Sequence, residues 1–334
     1  MIQTVLGKIK KSQLGVCSPH EHIFIDMRHC VDVKGDEPAV FYEKFSTEKR
    51  AEIFSDPYAI LDNALLDDFD DALKELQYFK QAGGNTIIDC TLDEIGRNPL
   101  KLKELSLLSG VNIIVGCGHY YHKAHYPYVK QASIKQLESE MLKDLNEGIN
   151  DTQIKAGIIG EIGTSATITD DEKKVLTAAG RVSAQTGKAI HVHTDLYTEN
   201  GFEVIKILTE QGATPQKICI DHVDVLLRPD YVEKLLNLGV FVEFDNFGKE
   251  FYISKNRRFA YDLERIKLLK RLVDHGFGDK ILISNDICLK SMWKKYGGLG
   301  YSHILRTVKT MALENGITQK QYKSFFTDNV KNFI

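Results

Sequence analysis

The chain has no apolar run long enough to cross a bilayer, no C-x-x-C pair, no internal repeat and no low-complexity tract. Each absence narrows the reading. Without about 20 successive apolar residues there is no membrane-spanning helix to place. The six cysteines, Cys17, Cys30, Cys90, Cys117, Cys219 and Cys288, stand apart, several of them inside apolar strand patterns. They read as reduced core residues of a cytosolic protein. Neither sign of charge is in excess: 43 Lys and Arg face 46 Asp and Glu in 334 residues, a net −3. That gives no bulk electrostatic case for nucleic acid or a membrane as partner. The start, Met1-Ile2-Gln3-Thr4-Val5, lacks a charged n-region followed by an apolar stretch, so no signal peptide is visible and a cytoplasmic location is expected.

What is present is a strict alternation. Short β-branched, apolar runs at 15–25, 85–91, 111–116, 156–162, 189–194, 217–222, 240–245 and 280–286 read as strands. Amphipathic stretches at 60–82, 98–109, 133–146, 170–186, 201–211, 229–238, 261–275 and 301–315 read as helices. Many of these end on a glycine, among them Gly110, Gly187, Gly239 and Gly276. Eight such units predict parallel strands with helical crossovers, closed into a (β/α)8 TIM barrel. The alternative, an open doubly wound sheet, would more often carry a glycine-rich phosphate turn after its first strand; here that place is taken by His20-Glu21-His22. A single domain over 1–334 is expected. Residues 28–58 form a long loop after the first strand, a lid or an oligomer contact, and 319–334 a C-terminal helix sealing the barrel.

The chemistry gathers at predicted strand ends, the functional face of such barrels. His20 and His22, two apart on a strand, share one face. Glu161, His193, His222 and Asp286 each stand at the end of a later strand. Four imidazoles and two carboxylates suffice for two divalent ions, with Glu161 and a hydroxide bridging them. Zinc is the expected metal, and manganese or cobalt would suit the same donors. Asp286 is then both a ligand and the catalytic group that moves a proton.

These residues carry a family resemblance over nearly the whole chain: Thr4-Val5-Leu6-Gly7, Pro19-His20-Glu21-His22, Ala82-Gly83-Gly84-Asn85-Thr86, Gly157 to Thr164, His193-Thr194, His222, Phe244-Asp245 and Ser284-Asn285-Asp286. The chain resembles the phosphotriesterase-related branch of the amidohydrolase superfamily, close to its phosphotriesterase homology proteins and phosphorylated sugar lactonases. The resemblance implies a binuclear metal centre on a (β/α)8 barrel. One departure matters. Many members bridge their metals with a carboxylated lysine at the end of strand 4, whereas here Lys155 lies at the start of that strand and Glu161 holds the bridging position. That weakens any transfer of organophosphate hydrolysis.

The loops after strands 7 and 8 are locally basic, which suggests a small anionic substrate. The expected reaction is hydrolytic opening of a phosphorylated aldono-1,4-lactone by a metal-bridging hydroxide. Lys249 and Lys290 are the leading phosphate contacts, with Arg257, Arg258 and Tyr296 secondary and Tyr121 lining the pocket. Alternatives are a phosphotriesterase or acyl-homoserine lactonase, and a non-catalytic binding protein that retains the fold. Barrel precedent suggests a homodimer. Of the other polar groups, His191 is expected in the core below His193, and Asp224 as an orienting group or a helix cap. His119, His122 and His125 are read as a loop rather than a separate zinc site, and Asp67, Asp68, Asp70 and Asp71 as an exposed helix face.

Overall fold

The computed structural model describes residues 1–255 and 257–334. Its central sheet has eight strands: β1 (Cys17–Glu21), β2 (Thr86–Asp89), β3 (Asn112–Cys117), β4 (Ile158–Gly163), β5 (Ile190–His193), β6 (Ile218–Ile220), β7 (Phe241–Phe244) and β8 (Ile281–Ile283). Each pairs in parallel with its neighbour in chain order. The two sheet edges meet where the Asp286 N–H donates to the His20 carbonyl at 3.3 Å. Helices α1 (Phe69–Gln81), α2 (Pro99–Ser109), α3 (Ile134–Asn146), α4 (Asp170–Thr186), α5 (Gly201–Glu210), α6 (Pro229–Asn237), α7 (Asp262–Asp274) and α8 (Thr307–Glu314) follow the successive strands. This is the expected TIM barrel.

The local chemistry explains where elements start and stop. Ser133 and Thr169 cap α3 and α4 with reciprocal bonds to Gln136 and Glu172, while Gly110 and Gly187 end α2 and α4 in left-handed conformations. Between sheet and helices lies a continuous apolar layer that includes Leu76, Phe79, Leu105, Met141, Leu176, Leu208, Leu235 and Leu269. Inside the barrel, Cys17, Ile88, Ile114, Ile158, Cys219 and Leu282 pack against Val330 and Phe333. Those two belong to the second of two short C-terminal helices, α9 (Gln319–Ser324) and α10 (Asp328–Phe333).

Two helix starts differ from the sequence reading. The helix expected from residue 60 begins at Phe69, because Asp68 is extended and its side chain accepts the Asp71 N–H. Ahead of it, Leu65–Leu66 pairs antiparallel with Ile25–Asp26, beyond the end of β1. The helix expected from residue 301 begins at Thr307. Asp71, expected on an exposed face, is buried and pairs with Lys295 at 2.5 Å. The long loop after β1 holds short 3-10 turns at Arg28–Cys30, Ala39–Tyr42 and Thr47–Lys49.

Candidate active site

The six side chains expected from sequence converge at the C-terminal mouth of the barrel, all nearly or fully buried except His193, which is partly buried. His20 lies within β1 and His22 just beyond it, and both aim at Glu161 on β4. His20 Nε2 is 3.4 Å from Glu161 Oε2, and His22 Nε2 is 3.3 Å from Oε1. His193 Nδ1 and His222 Nε2 each lie 3.4 Å from Glu161 Oε2. Asp286 Oδ1 lies 3.1 Å from His22 Nε2 and 3.9 Å from His20 Nε2. Glu161 is thus shared between a group of His20, His22 and Asp286 and a group of His193 and His222.

Backbone strain places two of these groups. His222 and Asp286 have φ of +63° and +47°, which side-chain-bearing residues rarely adopt. Each is held there from outside. The Asp245 carboxylate accepts the His222 N–H at 3.0 Å, and the His20 carbonyl accepts that of Asp286. Gly163 serves a related purpose. A Cβ on it would lie 2.1 Å from the Tyr121 nitrogen, so only glycine lets the loop after β3 close over β4. That loop brings the Tyr120 hydroxyl to 3.1 Å from His193 Nδ1.

The donor set fits divalent metal. Ligand atoms about 2.0–2.1 Å from a tetrahedral ion lie about 3.3–3.4 Å from one another, which is the spacing around Glu161. His20 Nε2 and Glu161 Oε2 are buried without a hydrogen-bond partner among the described residues. Burial lowers the pKa of His22, yet the Asp286 and Glu161 carboxylates raise it to about 9, so the cluster attracts positive charge. The far sides of the rings face polar groups. His22 Nδ1 meets Thr91 Oγ1 at 2.9 Å, His222 Nδ1 meets Asp245 Oδ1 at 3.0 Å, and His20 Nδ1 lies 3.4 Å from Asp221 Oδ2. The Thr91 hydrogen bond fixes which His22 nitrogen faces a metal, while the His20 and His222 Nδ1 atoms lie near carboxylates without a hydrogen bond among the described residues. Below them His191 faces Asp221 at 3.0 Å and packs its ring on Phe333.

A cavity of about 250 Å³ opens above the cluster. Its walls are largely apolar and aromatic, including Ile25, Met27, Tyr58, Tyr120, Tyr197 and Phe259. Of the six expected substrate contacts, only Lys249 lies on this wall, and its ammonium is ion-paired with Asp286 Oδ2. Burial raises the Asp286 pKa, but the Lys249 charge and the His22 contact outweigh it and hold the carboxyl well below the usual range. Lys290 instead pairs with Asp62 at 2.8 Å, and Arg258 forms two 2.8 Å bonds to Glu264. Arg257 is exposed and off this wall, its guanidinium 5.2 Å from the centre of the ring of Tyr197, which is on it. Tyr296 packs on Phe45, outside the cavity. Tyr121 lies behind Tyr120, which takes the place on the wall expected for it.

The three loop histidines do not share a site. His119 binds Glu94 and Glu140, His122 meets Ser165, and His125 meets the Tyr120 carbonyl. Asp224 accepts two bonds from Asn246 and pairs with Arg265 at 3.0 Å, so it orients neighbours rather than capping a helix. Asp221, Glu243 and Tyr120 were not among the site residues expected from sequence. Their only signal was a polar residue inside an apolar strand or beside a strand end.

A model of the Phosphotriesterase family matches residues 1–334. The chain belongs to this family. An N-acetyltaurine hydrolase from Danio rerio is 34% identical over 341 residues, covering 100% of this chain and 97% of the relative. Among solved structures, a resiniferatoxin-binding protein from Rhodobacter sphaeroides superposes with a TM-score of 0.96 at 30% identity, covering 99% of this chain and 94% of the other. A lactonase from Listeria monocytogenes gives 0.80 at 27% identity, covering 99% and 98%. This phosphotriesterase-family chain is therefore a metal-dependent hydrolase on a TIM barrel. No helix among its described residues is long and apolar enough to cross a membrane.

Proposed function

We propose that the protein hydrolyses a small N-acyl amide whose amine portion ends in an anionic group, of the N-acetyltaurine kind. The observation that carries this is the cavity above the cluster. At about 250 Å³ it is smaller than typical sites for drug-sized ligands, about 300–1,000 Å³, and is walled by apolar groups. Its one lining cation among the described residues, Lys249, is already paired with Asp286. A compact acyl group suits this interior, and Arg257, exposed beside the Tyr197 ring of the cavity wall and in no ion pair among the described residues, suits an anionic tail. Relatives named N-acetyltaurine hydrolase, matched over their length, support the amide reading.

His20, His22 and Asp286 would hold one divalent ion and His193 and His222 a second, with Glu161 shared; zinc is the proposed metal. Bound there, such ions lower the pKa of water toward about 7 and polarise the scissile carbonyl. Asp286 Oδ2 takes a proton from the attacking water and delivers it to the leaving nitrogen as the C–N bond breaks. Lys249 keeps that oxygen ionised and oriented between turnovers. Tyr120 and Tyr58 exclude bulk water from the acyl side.

A lactone is the second reading, favoured by the likeness to a lactonase. A phosphorylated lactone finds less support, because Lys290 and Arg258 are paired elsewhere. The test compares kcat/KM on metal-replete protein for N-acetyltaurine, N-acetylethylamine and aldonolactones with and without phosphate. We expect N-acetyltaurine to exceed the uncharged amide by about tenfold or more, about 1.4 kcal/mol, and Arg257→Ala to erase that preference through KM. Lactones turned over about 100-fold faster than either amide would move the assignment to ester chemistry.

A further inference from the structure

The turn after β7 is held from behind by one side chain. Arg265 lies in the first turns of α7, three residues after Asp262 and so on the same helix face. Its side chain is fully buried, and each of its three nitrogens has a different partner. Nη1 donates to Asp262 Oδ1 at 2.9 Å, Nη2 donates to the Lys249 carbonyl at 3.0 Å, and Nε lies 3.0 Å from Asp224 Oδ2 as an ion pair. Buried carboxylates are costly without a cation, and Arg265 is the one cation paired with Asp224 among the described residues.

Those partners account for all four residues of the turn. Asn246 gives its backbone N–H and its amide to Asp224, at 3.1 and 2.9 Å. The Phe247 ring lies against the guanidinium, 5.9 Å away at its centre. Gly248, with φ of +85°, donates its N–H to the same Asp262 oxygen at 2.9 Å. Lys249 is held by its carbonyl, and its N–H closes the turn on the Asn246 carbonyl at 3.0 Å.

Both ends of the turn reach the ligand cluster. At one end Asn246 Nδ2 also donates to Asp245 Oδ1 at 2.6 Å, and Asp245 Oδ2 accepts the N–H of His222, whose left-handed backbone needs that support. The Asn246 amide can point only one way here, because both groups it meets are carboxylates. At the other end the Lys249 ammonium pairs with Asp286 Oδ2.

We propose that Arg265 is a positioning residue for the catalytic centre. It sets His222 through Asp224, Asn246 and Asp245, and it sets Asp286 through Lys249. The proposal rests on the roles proposed for His222 and Asp286, and not on the choice of substrate. A lysine cannot take the place of Arg265. Its ammonium is a single point of charge, whereas the guanidinium directs three nitrogens of one rigid plane at three partners.

The test uses the full-length protein, stripped of metal and titrated with zinc against a chromophoric chelator. The more weakly held zinc belongs to His193 and His222, which offer fewer ligands than the other group. Arg265→Lys should weaken that zinc by at least about tenfold, the lower end of what losing such a support costs. Asp224→Asn, a milder change on the His222 branch, should weaken it as well, and carries the measurement if Arg265→Lys does not fold. At saturating zinc, Arg265→Lys should lower kcat by about tenfold or more and shift KM by less than about threefold. In a Lys249→Met background the same change should lower kcat by less than about threefold, because its route to Asp286 is already broken. Leu272→Ala is the control, since Leu272 is buried in the apolar layer on the same helix. It should lower the urea midpoint and leave zinc affinity and kcat unchanged. The zinc titration needs no substrate, so it decides the proposal even where the amide reading fails. An unchanged weaker zinc in both Arg265→Lys and Asp224→Asn, an equal kcat loss in both backgrounds, or an equal zinc loss in Leu272→Ala would each make Arg265 a support of the fold alone and overturn the proposal.

Discussion

Glu21 clamps the backbone on both sides of Asp286. Its carboxylate accepts the N–H of Asn285 at 3.0 Å and that of Ile287 at 2.9 Å, along with bonds from the Asn285 amide and Ser18. The middle residue of the His20-Glu21-His22 run therefore closes the seam between β1 and β8, while its two neighbours face the site. One tripeptide both joins the barrel and equips it.

Glu21→Gln should accordingly loosen the fold at the point where Asp286 is held. The substituted amide presents N–H where Glu21 receives a backbone N–H, leaving a buried donor unanswered at a cost of about 1–3 kcal/mol. Urea unfolding of both proteins reads this directly. A lower midpoint with an unchanged slope is expected, together with a fall in kcat larger than the change in KM. Unchanged stability would show that the seam closes without this carboxylate.

Glu75 predicts a pH dependence with a definite sign. It is buried under the loop after β8, where it accepts the Lys294 N–H at 2.6 Å. Burial raises its pKa to about 7, with Asp71 adding to the rise, against the lowering contributions of the Lys294 N–H and ammonium. A carboxyl whose pKa is higher in the folded state contributes stability that is fully present below its unfolded value, near 4.3. That contribution is lost as pH rises toward 7. Glu75→Gln should therefore gain on the parent protein between pH 4 and 7, by on the order of 3 kcal/mol at most. Urea midpoints at pH 4, 5.5 and 7 measure it; a gap that narrows with rising pH contradicts the assignment.

Lys249→Met removes the ammonium beside Asp286 Oδ2. Breaking a buried pair from one side typically costs about 3–5 kcal/mol, although bound metal beside Asp286 offsets part of that. Activity should suffer as well, because Asp286 loses the partner that orients it. We expect kcat/KM to fall by about 100-fold, or about 2.7 kcal/mol, mostly in kcat. A variant with normal kcat and raised KM would instead make Lys249 a substrate contact.

Chelation should remove both activity and part of the stability. Glu161 and Asp286 face four imidazoles in a buried space, an arrangement suited to bound cations. Treatment with a strong chelator followed by gel filtration should lower Tm, and zinc, manganese or cobalt should restore it along with turnover. Elemental analysis that finds two equivalents per chain at full recovery would fit the shared-carboxylate arrangement, while one equivalent would exclude it.

Much of the barrel and its ligand cluster can be read from the chain because both are local, periodic features. Alternating apolar runs report strands, glycine stops report helix ends, and a polar residue at the end of an apolar run reports the mouth of a barrel. His193, His222 and Asp286 were legible in this way, each from a handful of neighbours. Glu161 was legible from its strand end too, and the family resemblance added only that many members carry a bridging lysine at that place.

The substrate face was decided by contacts far apart in sequence. Lys290 looks like a free cation in its own loop, but Asp62, 228 positions earlier, takes its charge. Lys249 is similarly tied to Asp286 across 37 positions. Tyr120 rather than Tyr121 reaches the cavity because Gly163 lets one loop settle against β4. Strand periodicity is set by the backbone and is written residue by residue. Which loop charge remains free is set by burial and by partners that only the closed barrel brings within reach, since an ion pair depends on distance in space and not on position along the chain.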